Sequence, residues 1–187
     1  ISAIIEEKLD VKSILQQSAM DFDGGYALAG LIGHGDAFIL RDPAGIRPCF
    51  WYADDEVVVA ASERPAIQTA FSLKVDQVNE LTPGCALIVK KDGSHSVQEI
   101  LPPLEKRACS FERIYFSRGS DTDVYRERIA LGRSVCPAIL EAIDHDLENS
   151  VFSFIPNTAE VACYGMLKEL EDELDRVKER RILELGP

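Results

Sequence analysis

The sequence lacks any apolar run of the roughly 18 to 20 residues that a membrane-spanning helix requires. It also lacks, at its start, the basic stretch followed by an apolar stretch that marks a secretory signal. Its five cysteines are odd in number and none has Cys-x-x-Cys spacing, which argues against a disulfide framework and a self-contained zinc site. These absences predict a protein of the reducing cytoplasm that has no membrane partner.

Positive charge is scarce, since 20 Lys and Arg residues stand against 32 Asp and Glu and the formal net charge is −12. A field of this sign repels phosphate backbones, so we expect no nucleic-acid partner. Much of the acidic excess lies in predicted helices, where it forms solvated faces. With 46% hydrophobic residues the composition is otherwise ordinary for a globular protein, and the length suits one domain plus part of another.

Apolar residues recur at three- and four-residue spacing over 1–20, which predicts an amphipathic helix. The first residue is Ile1 rather than Met, and it lies inside this predicted helix. We therefore expect the chain to be a piece of a longer parent protein.

After residue 25 the spacing of the apolar residues changes to that of short strands joined by tight turns. Glycines and an aspartate at 33–36 mark one turn, in which His34 is expected to be exposed, and Asp54 with Asp55 marks another. Apolar runs on both faces indicate antiparallel sheets that are covered on both sides. The predicted strands are 26–32, 37–40, 49–52, 57–61, 85–89 and 96–100, with a short helix at 63–71.

The stretch 101–103 is the first linker-like composition, and a strand is predicted after it at 111–116. A long helix over 121–144 follows, in which Pro137 removes a hydrogen bond and predicts a kink or break near Val135. The residues expected to point inward from this helix are Ile129, Val135, Ile139 and Ile143.

The last part of the chain reads as a buried strand at 151–155 and then a helix, capped by Thr158, that runs to about residue 185. Helix, apolar strand and helix in this order are typical of an open α/β sheet. We place a domain boundary between Pro103 and Asp121, where the predicted short strands and tight turns give way to long helices.

The sequence Arg-Asp-Pro-Ala-Gly-Ile-Arg-Pro at 41–48 forms a turn between two predicted strands. Pro43 fixes φ and Gly45 supplies a positive φ, which are the needs of a tight turn. Arg41 and Arg47 flank the turn and can pair with carboxylates.

Together with Gly-His-Gly at 33–35, Ala-Ser-Glu at 61–63 and Pro-Gly at 83–84, this turn resembles the glutaminase domain of class II glutamine amidotransferases. The similarity is greatest to the amidophosphoribosyltransferase family. A second block, Cys-Ser-Phe-Glu-Arg-Ile-Tyr-Phe-Ser-Arg at 109–118, looks like the segment that joins that family's two domains. Ser120 and Asp121 stand where the family usually has Arg-Pro-Asp-Ser, so this element is kept imperfectly.

The resemblance implies a fold of two parts. Residues 1–108 would be the C-terminal part of an N-terminal-nucleophile type αββα glutaminase sandwich. Residues 109–187 would be the junction strand and the beginning of a phosphoribosyltransferase-like α/β domain.

The resemblance also implies that the parent protein is an enzyme of purine synthesis. Such an enzyme uses ammonia released from glutamine, together with phosphoribosyl pyrophosphate, to make 5-phosphoribosylamine. Mg²⁺ would bridge the pyrophosphate, and a homo-oligomer is expected.

The family pattern gives the matched residues supporting roles, because none of them reacts. Tyr115 and Arg118 would lie near the passage through which ammonia moves between the two sites. A polar network behind the glutamine pocket would consist of Arg41, Asp42, Arg47, Ser62 and Glu63, and Gly45 would have a structural role in the turn.

Cys109 lies in a Cys-x-x-Glu segment like one that supplies an iron–sulfur ligand in some family members. One thiolate cannot hold a cluster, because such clusters usually take about four. A small apolar residue at a domain junction is the alternative interpretation of Cys109. The other four cysteines lie in apolar periods and are expected in the core.

The family's nucleophile is an N-terminal cysteine, and its transferase site needs a Gly-Thr-Thr-like phosphate loop; we find neither in the sequence. We therefore expect the chain alone to be inactive. Two alternatives stay open: another class II amidotransferase, and a non-catalytic homologue with a structural or regulatory role.

Overall fold

The computed structural model describes residues 10–186 and divides the chain into two compact units, 1–112 and 113–187. This division falls four residues beyond the boundary expected at 108/109. Each unit is described by itself below.

Among the described residues, the first element of the first unit is helix α1, Val11–Ala19. Val11, Leu15 and Ala19 are buried at four-residue spacing, so one stripe of the helix faces the core as the pattern predicts. The rest of the helix predicted at 1–20 includes residues 1–9, which lie outside the described residues.

Two antiparallel sheets follow in this unit, and the six strands predicted over 26–100 are all present. The first sheet has the order β1-β2-β6-β7 and the second the order β4-β3-β5. The strands are β1 (Ala27–Leu31), β2 (Ala37–Arg41), β3 (Phe50–Ala53), β4 (Val58–Ala61), β5 (Asn79–Glu80), β6 (Cys85–Val89) and β7 (His95–Glu99). Helix α2 (Arg64–Phe71) and a 3₁₀ turn (Val75–Gln77) lie between β4 and β5.

Strand β6 is buried on both faces, which agrees with the prediction of sheets covered on both sides. Ala86 and Ile88 belong to a core cluster with α1, whereas Cys85 and Leu87 belong to a second cluster with Cys49. Successive side chains of a strand point to opposite faces, so one strand serves both clusters.

The second unit contains two long helices, α3 (Thr122–Ala142) and α4 (Glu160–Leu185). The side chain of Asp121 caps α3 by accepting the backbone N–H groups of Asp123 and Val124. Within the described residues no helix of either unit is long and apolar enough to span a membrane.

The buried stripe of α3 differs from the prediction. Val135 was expected inward but is 47% exposed, and Ile129, Ile139 and Ile143 are only half-buried. The residues buried at four-residue spacing are Val124, Arg128, Gly132, Cys136 and Leu140. The prediction followed the apolar side chains, whereas an arginine and a glycine occupy two of the buried positions.

Gly132 and Gly165 explain why small residues lie in this stripe. A Cβ atom at Gly132 would lie 1.8 Å from the carbonyl oxygen of Ala162, and one at Gly165 would lie 2.1 Å from that of Ile129. The two helices therefore approach so closely that only hydrogen fits at these positions.

Two predicted strands are wrong. Most of the stretch 111–116 is a π-helical turn, Glu112–Phe116, in which the carbonyl oxygen of Arg113 accepts Nε of Arg128 rather than a donor from a neighbouring strand. Residues 151–155 are irregular, with Phe152 and Phe154 packed on the helices and Val151 and Ile155 exposed. The alternation of a strand is present there, but the described part of the second unit contains no strand with which it can pair.

Two predictions about helix ends and breaks are also wrong. Helix α3 continues through Pro137, so the break near Val135 is absent, whereas the kink that was its alternative stays a prediction. Helix α4 begins at Glu160 with Ala159 as its N-cap, so Thr158 does not cap it.

Candidate functional site

Asp42 organises the turn that follows β2, and residues 42–47 are called the Asp42 turn below. Its side chain is fully buried, and its two carboxylate oxygens accept the backbone N–H groups of Ile46 at 2.9 Å and Arg47 at 3.0 Å. Its carbonyl oxygen accepts the N–H groups of Gly45 and Gly84 at 3.2 and 3.1 Å. The buried charge is thus compensated by hydrogen bonds from the chain that it folds.

Gly45 supplies the positive φ that this turn requires, as the sequence predicts. Its φ is +62°, and a Cβ atom there would lie 2.8 Å from Cγ of Pro83. A side chain at this position would be strained by both the backbone and its neighbour.

Arg41 is 2% exposed and lies behind the Asp42 turn, where its guanidinium joins separate parts of the chain. Nε donates to the carbonyl of Arg47 at 2.8 Å. Nη1 donates to the carbonyl of Leu81 at 2.5 Å and to the carboxylate of Glu80 at 2.8 Å, and Nη2 to the carbonyl of Gly45 at 3.4 Å. Several donors in a fixed plane suit arginine and not lysine.

Glu80 balances the buried charge of Arg41. Burial acts to raise the pKa of Glu80, but the hydrogen bond and charge of Arg41, with Lys106, outweigh it and lower that pKa. The carboxylate therefore stays ionised at neutral pH beside the guanidinium.

Arg47 connects the Asp42 turn to the end of the first unit. Its guanidinium Nη1 lies 2.5 Å from the carboxylate of Glu112, whose side chain is only 7% exposed. The pair joins residues 65 apart in sequence. Arg41, Asp42, Gly45 and Arg47 are thus brought together in one hydrogen-bonded network.

Ser62 and Glu63 lie at the end of β4, in the other sheet of the same unit. Ser62 is exposed and Glu63 is half-buried as the N-cap residue of α2. Their predicted role behind a glutamine pocket stays a prediction.

Tyr115 and Arg118 lie at the start of the second unit. Tyr115 is 56% exposed, in edge contact with the ring of Phe116 at 5.4 Å, and Arg118 is exposed. Their predicted place beside an ammonia passage stays a prediction as well.

The role of Arg128, on α3, was not predicted from the sequence. Arg128 is 5% exposed, and its guanidinium donates to the carbonyl of Arg113 at 3.1 Å and to that of Ser117 at 2.7 Å. Burial, with the charge of Arg113, lowers the pKa of Arg128. Arg128 lies at four-residue spacing from the other buried residues of α3, and this spacing could have indicated its burial. An arginine in a helix is ordinarily expected at the surface, so the spacing was not used.

The cysteines divide as predicted, since four are buried and Cys109 is half-buried. Burial raises the pKa of the Cys49 thiol to about 11, against a smaller opposing effect of Arg41. Burial also raises the pKa values of Cys85 and Cys136. A protonated buried thiol is a poor nucleophile, so these residues are structural.

Among residues 10–186, no group of three or more His, Cys, Asp or Glu side chains is arranged to hold a metal ion. Cys109 therefore lacks, in this part of the chain, the partners that a cluster requires.

A second charged cluster lies at the β1–β2 hairpin. The carboxylate of Asp36 accepts hydrogen bonds from Lys90 Nζ at 2.9 Å and from the backbone N–H of Lys91 at 3.0 Å. It also lies 3.1 Å from His34 Nε2. His34 was expected to be exposed, but its side chain is only 16% exposed because it packs against Asp36. Ala37 pairs with Val89, so the antiparallel register places Asp36 opposite Lys90.

The hydrogen bond from Lys90 is the main reason that the pKa of Asp36 falls to about 2. His34 and the N–H of Lys91 lower it further, against the effect of burial. In return, the bond to Asp36 raises the pKa of Lys90. The contacts of Asp36 with Lys90 and Lys91 join the β1–β2 hairpin to the β6–β7 hairpin of the first sheet.

No family model matches the sequence. The amidophosphoribosyltransferase of Pasteurella multocida is 32% identical over 133 residues, covering 66% of this chain and 26% of the relative. Amidophosphoribosyltransferase 1, chloroplastic, of Arabidopsis thaliana is 34% identical over 127 residues, covering 67% and 21%. The Escherichia coli K12 amidophosphoribosyltransferase is 30% identical over 146 residues, covering 73% and 28%. The chain spans about a quarter of the length of these curated relatives.

Solved structures show the same mixed α and β fold. Glutamine phosphoribosylpyrophosphate amidotransferase from B. subtilis, in complex with ADP and GMP, matches with a TM-score of 0.64 and 23% identity over 87% of this chain and 34% of that one. A structure described as the allosteric regulatory enzyme of purine biosynthesis matches with a TM-score of 0.64 and 24% identity, over 86% and 33%.

Proposed function

We propose that this chain, which belongs to the amidophosphoribosyltransferase family, is a segment of an enzyme that makes 5-phosphoribosylamine from phosphoribosyl pyrophosphate and glutamine-derived ammonia. The observation that carries the proposal is the sequence similarity, at 32% and 34% identity, to two enzymes of that name. The buried network of the Asp42 turn supports it, because the residues that suggested the resemblance form one scaffold.

The finer fold assignment belongs to the same proposal. In it the first unit is the C-terminal part of an αββα glutaminase sandwich, which fits two antiparallel sheets with β6 buried on both faces. The second unit is the beginning of a phosphoribosyltransferase-like α/β domain.

The residues of this chain then support catalysis without reacting. Arg41, Asp42 and Gly45 hold the Asp42 turn rigid, so that the walls of the glutamine pocket keep their places. Ser62 and Glu63, which precede α2, belong to the polar network behind the glutamine pocket. Tyr115 and Arg118 lie near the ammonia passage.

The chain alone is inactive in this proposal. Its four buried cysteines are structural, and the reacting cysteine of the family is N-terminal, a position that no cysteine of this sequence occupies. Ammonia release from glutamine by the 187-residue chain, above a blank without protein, would contradict this point.

Cofactors, partners and location are predictions for the parent protein. Mg²⁺ would neutralise the pyrophosphate when it is bound, but the described residues contain no clustered ligands that fit it, so no step is assigned to it here. An iron–sulfur cluster likewise does not fit these residues, with Cys109 as a single thiolate. A homo-oligomer in the cytoplasm, without a nucleic-acid partner, completes the proposal.

The experiment is a pyrophosphate-release assay on the purified parent protein, with the 187-residue chain as the control. We expect release that requires both phosphoribosyl pyrophosphate and an ammonia source, with glutamine as an effective source. Glutamine hydrolysis that serves a different acceptor would favour another class II amidotransferase. No reaction with either substrate would favour a non-catalytic homologue.

A further inference from the structure

The second half of helix α4 extends past the core of its own unit. Leu170 is the last residue of α4 in the core cluster that this helix shares with α3. Leu174, one turn further along, is 43% exposed, and every residue from 178 to 185 is exposed. Ile182 and Leu185 in this stretch are 67% and 84% exposed. The described part of the unit therefore leaves apolar side chains of this helix in contact with solvent.

The charges in the same part of α4 are separated into two blocks. Residues 169–175, the acidic block, contain five acidic side chains and no basic one. Residues 176–181, the basic block, contain four basic side chains and one acidic one. Opposite charges support a solvated helix when they alternate at three- or four-residue spacing, so two separate blocks are not required for that purpose. Blocks of opposite sign are instead suited to a second helix that runs in the opposite direction.

One face of α4 carries apolar side chains through both blocks. Leu170, Leu174 and Val177 recur at four- and three-residue spacing, which places them on a single stripe of the helix. Leu174 and Val177 lie at the boundary of the two blocks. The side chains that flank this stripe are Glu173 and Arg180 on one side, and Glu171 and Lys178 on the other. Each side therefore carries one acidic and one basic residue.

A second copy of α4 in antiparallel orientation matches this pattern. With a two-fold axis between residues 175 and 176, Leu174 of each copy lies beside Val177 of the other. The acidic block of each copy then runs along the basic block of the other, and both copies are satisfied because the axis exchanges them. In a parallel pair, each block would run along a block of the same sign and be repelled.

The flanking side chains are complementary in the same arrangement. In an antiparallel pair of helices, residues on the same side of the stripe meet each other. Glu173 of one copy therefore faces Arg180 of the other, and Glu171 faces Lys178. The two-fold axis repeats both contacts, so all four ion pairs between the helices join opposite charges.

The ion pairs within one chain do not oppose this arrangement strongly. Arg180 Nη2 lies 3.2 Å from Glu173, and Lys178 Nζ lies 2.9 Å from Asp175. Ion pairs at the surface contribute little to stability, so exchanging them for pairs with a second copy costs little. The association also removes the apolar stripe from water, which is favourable.

We propose that the second half of α4 is a self-association surface, on which the same helix of a second copy packs in antiparallel orientation. The proposed function expects a homo-oligomer but assigns no surface to it. This inference supplies the surface, and it does not depend on the reaction that the parent protein catalyses.

The test reverses the flanking charges of each block in turn in the purified parent protein. The first variant, Lys178→Glu with Arg180→Glu, leaves only acidic side chains beside the stripe. The second variant, Glu171→Lys with Glu173→Arg, leaves only basic ones. Copies of the same variant should therefore repel each other, whereas a copy of each should attract.

The matched control is Asp175→Lys with Glu179→Lys, which reverses two exposed charges on the side of α4 away from the stripe. It also removes the ion pair of Asp175 with Lys178. The control thus shows what the loss of a pair within the helix does by itself.

The measured quantity is the dissociation constant for the association of two copies, from sedimentation equilibrium at increasing protein concentration. We expect each variant alone to raise this constant about tenfold or more, because attractive pairs become repulsive. An equimolar mixture of the two variants should return it to within about threefold of the unmodified value, since all flanking pairs are attractive again. The control should change it by less than about twofold. Salt at about 1 M should raise it in the unmodified protein.

The mixture makes the test decisive, because its recovery requires that both variants are folded and that the blocks meet between copies. An unmodified parent protein that stays monomeric would overturn the inference. So would association that neither variant weakens, a mixture that does not recover, or a control that weakens association as much as the variants do. Failure of the phosphoribosylamine assay would refute the proposed function without changing these masses.

Discussion

Lys90 Nζ lies 2.9 Å from a carboxylate oxygen of Asp36, directly across the β2–β6 pair. The pKa of Asp36 falls from 3.8 to about 2 in the folded chain, mainly through this bond. A depressed pKa stabilises the fold above the unfolded value, and this stability is lost as the pH falls through the folded value. We expect the free energy of unfolding to fall between about pH 4 and pH 2, measured by urea denaturation.

Asp36→Asn should remove this acid dependence and lower stability near neutral pH. Asp175→Asn, on the exposed face of α4, is the control and should keep the wild-type profile. An acid-dependent loss that persists unchanged in Asp36→Asn would assign it to other carboxylates.

Gly45→Ala tests the geometry of the Asp42 turn. The new Cβ would meet Pro83 at 2.8 Å with φ at +62°, so we expect a loss of about 1 to 3 kcal/mol in the free energy of unfolding. Gly93→Ala is the matched control, because φ is +88° there but nothing lies within 4 Å. A smaller loss for Gly93→Ala isolates the contact with Pro83, and equal losses would reject its importance.

Gly132→Ala tests the close approach of α3 and α4. The added methyl would overlap the carbonyl of Ala162 at 1.8 Å, so the helices must separate. We expect a loss of about 3 kcal/mol or more, or failure of the second unit to fold, by thermal denaturation. Ser134→Ala, on the exposed face of α3, should change stability by less than about 0.5 kcal/mol. Wild-type stability in Gly132→Ala would contradict the packing.

The local turns could be predicted from the sequence, whereas contacts between distant elements could not. Pro43 and Gly45 determine the backbone of the Asp42 turn through their own φ preferences, so the sequence predicts it without knowledge of the fold. Asp36 and Lys90 meet only because β2 pairs with β6 in one register. The local sequence does not determine that register. For the same reason His34 was predicted to be exposed, although it lies beside Asp36.

The errors in the second unit have a similar cause. The inward face of α3 is set by the approach of α4, which selects Gly132, and by backbone carbonyls that select Arg128. The spacing of apolar residues indicates neither the close approach of α4 nor the need for a donor to the backbone carbonyls. Residues 151–155 have the alternation of a strand, but a strand is defined by its hydrogen-bonded neighbour, and none lies within the described part of that unit.

Tyr115→Ala in the parent protein tests the predicted ammonia passage. The side chain is 56% exposed in its own unit, so its removal should change stability little. We expect glutamine hydrolysis to continue while phosphoribosylamine formation from glutamine declines. The measurement is the ratio of glutamate to phosphoribosylamine, with Tyr125→Ala on α3, 45% exposed, as the matched control. An unchanged ratio in Tyr115→Ala would reject the role.

The central proposal is that the parent protein transfers the amide nitrogen of glutamine to the phosphoribosyl group. Its most direct test supplies glutamine labelled with ¹⁵N at the amide, phosphoribosyl pyrophosphate and unlabelled ammonium. We predict that the phosphoribosylamine carries the ¹⁵N label in excess over the free ammonium pool. Product without label, or no product at all, would contradict the proposal.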